Sequence, residues 1–174
     1  VSFIQSNYRG FGSGVVVPGT GVSLHNRGTG CVTTPGHANE VAGGKRPAHS
    51  IIPAFLTKDG QPVMAFGVMG GNMQAQGHVQ MVLRHVAEGF NPQACSDAPR
   101  WRINDAATLT LEPTVPAHVM EQLEAMGHVP LVLPPDNLEF GSAQLAARLP
   151  VAQGDGFAYV AGSDHRRDGL AVSA

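Results

Sequence analysis

Three arginines and one pair of glycines stand where the sequence could do chemistry. Arg9, Arg27 and Arg46 each sit in a loop punctuated by glycine or proline. An arginine fork matches the two oxygens of a carboxylate, so one of the three would suffice to hold an anionic substrate. The commoner role for any one of them is a surface or ion-pairing residue. Gly70-Gly71 lies where an apolar, strand-like run gives way to a helical pattern, and Asn72 follows as a candidate N-cap. The free N–H groups of a helix start point outward, and the helix dipole there favours negative charge. Such a turn could hold a carboxylate, a phosphate or the oxyanion of an acyl-transfer step. A tight strand-to-helix turn with no ligand is the simpler reading.

Other chemistries find little support. None of the eight histidines shares a loop with another at metal-ligand spacing. His78 and His85 lie seven residues apart on one expected helix, too far to share a metal ion unaided. Cys31 and Cys95 have no identifiable catalytic partner, and Cys95 reads as core packing. Gly12-Ser13-Gly14 lacks the spacing of a nucleophile elbow. Neither glycine-rich loop carries the Lys and Ser/Thr of a phosphate-binding loop. No metal or cofactor is therefore expected.

The elements that would position these residues follow from local pattern. Residues 54–57 and 63–66 flank Lys58-Asp59-Gly60-Gln61 and read as a hairpin. From about 73 to 88, Ala75, Val79, Val82, Leu83 and Val86 recur at helical spacing. Asn91-Pro92 opens a short second helix, and residues 116–126 form a third, with Gly127 at its end. Strands are expected at 1–6, 15–17, 22–24, 101–103, 108–111, 129–133 and 157–161, and a turn at Gly154-Asp155-Gly156. Residues 142–149 suit helix or strand equally. Residues 1–174 read as one α+β domain, with no linker.

Composition narrows the partners. The net charge of −2 argues against nucleic-acid binding, and no apolar run reaches membrane-spanning length. A charged fraction of 14% is low, which suits a subunit that covers its surface with partner contacts. The sequence opens on Val1 within a strand-like run, with no initiator Met, so an upstream segment is expected.

Several short motifs occur in a specific order: Phe11-Gly12-Ser13-Gly14, Leu24-His25-Asn26, Lys45-Arg46-Pro47 leading to Ser50 and Pro53, Gly67-Val68-Met69-Gly70-Gly71, Asp97-Ala98-Pro99-Arg100 and Gly162-Ser163-Asp164-His165-Arg166. Together they resemble the small subunit of the gamma-glutamyltranspeptidase family over nearly the whole chain. The resemblance implies the four-layer αββα sandwich of N-terminal nucleophile hydrolases, of which this chain supplies part. It also implies a precursor that cleaves itself and a large subunit as partner. The substrate would be a small γ-glutamyl or related amide, attacked by an N-terminal threonine through an acyl-enzyme. By the match, Gly70 and Gly71 are the oxyanion hole and Ser6 lies near the nucleophile. Tyr8, Arg27, His49 and Ser50 line the substrate site.

The departures from the family pattern carry their own expectations. The nucleophilic threonine falls roughly a dozen residues before Val1, so the isolated chain is expected to be inactive. Gly30 stands where transpeptidases usually have an acid for the substrate α-amino group. Tyr8 replaces a usual asparagine, and His49 the first of two usual serines. The short stretch 31–44 implies a site without a lid. These changes suit a transpeptidase-like hydrolase or a cephalosporin acylase, which cleaves a glutaryl-type side chain; the alternative is a non-catalytic fragment or pseudoenzyme that only binds.

Overall fold

The computed structural model describes residues 1–151 and 156–172. Its contacts divide the chain into two compact units, one of Val1–Ser2 with Ile52–Ala174 and one of Phe3–Ile51. The expected turn at 154–156 falls largely outside the described residues.

The larger unit is built on a four-stranded antiparallel sheet, with strands β1 (Ala54–Lys58), β2 (Gln61–Met69), β6 (Ser142–Pro150) and β7 (Phe157–Ser163) in the order β1-β2-β6-β7. The β1–β2 hairpin closes at Lys58↔Gln61, and Asp59 and Gly60 both have positive φ, 51° and 75°. This is the geometry that Asp-Gly favours in a two-residue hairpin turn. Side chains alternate along the central strands. Met64, Phe66 and Val68 on β2 and Ala143, Leu145 and Ala147 on β6 are buried on one face. Helices α1 (Met73–Val86) and α2 (Pro92–Asp97) pack on that face, contributing Met81 and Cys95 to the same core. Gly77 lets α1 approach closely, since a Cβ there would lie 2.6 Å from Val68 Cγ1.

Three further strands, β3 (Trp101–Ile103), β4 (Leu109–Leu111) and β5 (Leu131–Val132), form a second small sheet in that order. Helix α3 (Ala117–Ala125) connects β4 to its parallel neighbour β5 and buries no residue fully. No helix among the described residues is long and apolar enough to cross a membrane.

Several local expectations change. Residues 1–6 form no strand; Ser2 Oγ donates to Phe66 O at 3.0 Å, but no backbone ladder accompanies it. Residues 15–17 and 22–24 meet at a single bridge, Val16↔Ser23, too short for named strands. The ambiguous stretch 142–149 is strand, because it is paired on both sides by β2 and β7 and tertiary pairing overrides its helix-forming composition. In α1 the helix is where expected, but the buried face is not. Val79, Leu83 and Val86 are exposed, while Met73, Gly77, Gln80, Met81 and Arg84 face inward.

Candidate active site

The Gly70-Gly71 turn closes β2 and opens α1. Gly70 has φ 137° and Gly71 φ 60°, conformations that side-chain-bearing residues rarely adopt. Met73 N donates to Gly70 O and Gln74 N to Gly71 O, each at 3.1 Å, so the turn winds directly into the helix. Asn72 is not the side-chain cap expected from the sequence. Its backbone is already helical, and its Nδ2 donates to Asp105 Oδ1 at 2.8 Å. The amides of Gly70, Gly71 and Asn72 donate to nothing among the described residues. Three successive free N–H groups thus stand at the positive end of a 14-residue helix.

The underside of the turn is braced. A Cβ on Gly70 would lie 2.9 Å from Gly141 Cα, so the two glycine backbones are in close contact. Gly141 is fixed in turn by Arg100, a residue with no solvent exposure. Arg100 Nη1 donates to Phe140 O at 3.0 Å and Gly141 O at 3.1 Å, and its Nη2 to Ser96 O at 3.1 Å and Asp164 Oδ2 at 2.5 Å. Asp164 also accepts from Ala143 N at 2.6 Å and Arg166 N at 2.9 Å. Arg166 grips Glu112 with two bonds of 2.6 Å, and Glu112 accepts from Arg100 N at 2.7 Å. Burial by itself would push the Asp164 carboxyl upward. The Arg100 guanidinium and the two backbone amides outweigh it and hold the group below the ordinary carboxylate range.

The smaller unit holds the other expected site residues. Arg27 is 9% exposed and begins a 3-10 turn, Arg27–Gly30. Its Nε donates to Ser50 Oγ at 2.7 Å, its Nη1 to Ser6 O at 3.0 Å and its Nη2 to Ser6 Oγ at 2.7 Å. Tyr8 lays its ring 5.8 Å from the Arg27 guanidinium and has φ 80°. A left-handed backbone is one that asparagine tolerates far better than tyrosine. Arg27, Ser6, Ser50 and Tyr8 are therefore brought together, whereas exposed His49 makes no bond among the described residues. The chief geometric duty of Arg27 is to hold two serines. Asn26, beside it, ties down the loop 7–14 through bonds of 3.0 Å to Arg9 N, Arg9 O and Gly12 O. The only carboxylate in residues 3–51 is Glu40, which accepts from Gly36 N at 2.8 Å. Arg9, Arg27, Lys45 and Arg46 stand against it, so this unit is cationic.

The sequence reading missed the Arg100–Asp164–Arg166–Glu112 network as part of the support. Its signal was present: two arginines and an aspartate recur in short motifs of a chain otherwise poor in charge. Cys95 is buried in the core, and burial raises its thiol, in keeping with packing and not with a nucleophile.

An antiparallel sheet with helices on one face and a glycine turn leading into the first helix is the α+β architecture of an N-terminal nucleophile hydrolase, of which this chain forms part. The gamma-glutamyltranspeptidase family model matches residues 1–174, and the chain belongs to that family. It is 46% identical to the cephalosporin acylase of Bacillus halodurans in its crystal structure, with a TM-score of 0.83 over 96% of this chain and 30% of that one. The oxamate amidohydrolase proenzyme of Klebsiella pneumoniae is 35% identical over 155 residues, 86% of this chain and 29% of the relative. The glutathione hydrolase proenzyme of Bacillus subtilis is 37% identical over 128 residues, 74% of this chain and 22% of the relative. The chain thus spans less than a third of the length of these relatives.

Proposed function

We propose that the parent protein is an amidohydrolase or acyltransferase that cleaves γ-glutamyl-type amides through an acyl-enzyme on an N-terminal threonine outside this chain. The observation that carries the reading is the run of three amides at Gly70, Gly71 and Asn72, unpartnered among the described residues, in a chain of this family. Donors fixed in place before reaction stabilise a developing oxyanion without reorganising, which is where such enzymes gain much of their rate. In this reading Gly70 and Gly71 supply the oxyanion hole. Ser6, held by Arg27, stands near the nucleophile, and Tyr8, Arg27, His49 and Ser50 line the substrate. A large subunit of the same precursor supplies the rest, and the 174-residue chain alone turns nothing over, because amide donors without a nucleophile form no acyl-enzyme.

A second reading, a glutaryl-type acylase, is favoured by a specific observation. Gly30 offers no carboxylate, and the one acid of its unit is engaged by Gly36 N. A substrate α-ammonium finds no partner there, while a glutaryl carboxylate finds cations. The 46% identity to a cephalosporin acylase supports the same direction.

The test uses the full-length parent. Mass spectrometry should reveal self-cleavage that exposes a threonine upstream of Val1. Glutaryl-p-nitroanilide should then be hydrolysed at least as well as γ-glutamyl-p-nitroanilide. An uncleaved precursor, or one with no new Thr, Ser or Cys terminus, sinks the catalytic proposal. Strong dependence on the α-amino group would reject the glutaryl reading alone.

A further inference from the structure

One side of α1, continued back to Asn72, carries polar residues every fourth position, and each meets the chain segment containing β3. Asn72 bonds Asp105. Gln76 Nε2 donates to Ile103 O at 2.9 Å and its Oε1 accepts from Ile103 N at 2.7 Å. Gln80 does the same with Trp101, at 2.9 Å to the carbonyl and 3.2 Å from the amide. Arg84 Nη2 donates to Pro99 O. Helix positions advance by four while strand positions step back by two. Four helical residues rise about 6.0 Å and two strand residues about 6.6 Å, so the two repeats stay in step. β3 is an edge strand, bonded on one side to β4. Each glutamine carboxamide takes the place of a missing neighbouring strand, pairing one outward-facing N–H and C=O.

We propose that Gln76 is a positioning residue for the Gly70–Asn72 amides. The inference rests on the oxyanion reading of that turn. The first turn of α1 has no side-chain cap, and the Asn72–Asp105 bond ties it only through two exposed side chains. The rung at Gln76, one helical turn on, sets the rotation and height of the helix start against β3. Gln80, 3% exposed, is a poor probe, since its removal would orphan part-buried backbone groups of Trp101. Gln76 is partly exposed, so water can satisfy Ile103 when the side chain is changed, and the fold survives while the turn loosens.

Gln76→Met keeps the length of the side chain and removes both bonds. In the self-cleaved parent, with whichever of the two anilides it turns over, kcat should fall on the order of tenfold, because small misplacements of catalytic groups are costly. KM should stay within about twofold, and the thermal midpoint should hardly move. Gln76→Glu retains the acceptor for Ile103 N and should recover part of the lost kcat; it also carries the test if the Met variant fails to fold. Gly71→Val serves as the control for the turn itself. If Gly71→Val loses kcat while both Gln76 variants keep the wild-type value, the positioning role is overturned and the oxyanion reading stands. If Gly71→Val also keeps full kcat, the oxyanion reading is overturned, and this inference with it.

Discussion

The two glycines of the turn should respond differently to the same added methyl group. At Gly71 an alanine Cβ meets nothing within 4 Å, so the only cost is the left-handed backbone at φ 60°. That cost is about 1–2 kcal/mol. At Gly70 the backbone is at φ 137°, where a side chain is strained by about 1–3 kcal/mol. The methyl group would also lie 2.9 Å from Gly141 Cα and 3.3 Å from Met73 Cβ. Gly141 has little room to retreat, because Arg100 holds its carbonyl. Overpacking of this kind adds about 1–3 kcal/mol. Gly70→Ala should therefore destabilise by about 2–6 kcal/mol, clearly more than Gly71→Ala. Thermal unfolding of the full-length parent, with both variants scanned beside the wild type, ranks them. Equal midpoints for the two variants would refute the contact between Gly70 and Gly141 as a constraint on the turn.

Two further perturbations test the supports. Arg27→Lys replaces a fork that holds Ser6 twice and Ser50 once with a single ammonium, and should cost about 2 kcal/mol, read as a lowered unfolding midpoint; Arg27→Lys matching the wild type would show that the fork is dispensable. Asp164→Asn leaves Arg100 buried without its counter-charge and should cost about 3–5 kcal/mol. The folded-state pKa of Asp164 lies below its unfolded value, so its stabilisation is complete above about pH 4 and fades as pH falls through the folded value. The gap between the thermal midpoints of wild type and Asp164→Asn, compared between about pH 3 and 6, should narrow only toward the acid end; a constant gap would contradict the assignment.

How much of this was legible in the sequence depended on where each signal was local. The β1–β2 hairpin is written in Asp59-Gly60, because only residues tolerant of positive φ can turn two strands in two residues. Asn91 caps α2 as its type suggests, accepting from Ala94 N at 2.9 Å. The strand at 142–150 was not legible, since its alanines, glutamine, leucine and arginine favour helix and only its two neighbours decide otherwise. The glycine turn was located, but the backbone it meets was not. A Cβ at Gly70 would lie against Gly141, far along the chain, and no local pattern reports a contact between two distant backbones.

Helix α1 shows the physical limit most directly. Its valines and leucine mark a face by period, and period is the proper signal for a helix that buries an apolar stripe. This helix buries Gln80 and Arg84 beside Met73 and Met81, because the edge of β3 presents N–H and C=O groups that need partners and a wholly apolar face cannot supply them. A buried glutamine with both ends bonded escapes the desolvation penalty that makes polar residues read as exposed. Periodicity thus registers the element but not its orientation, and the orientation is what aims the amides of Gly70, Gly71 and Asn72. Wherever a helix start serves as an anion site beside a sheet edge, amide side chains four apart are the pattern to seek.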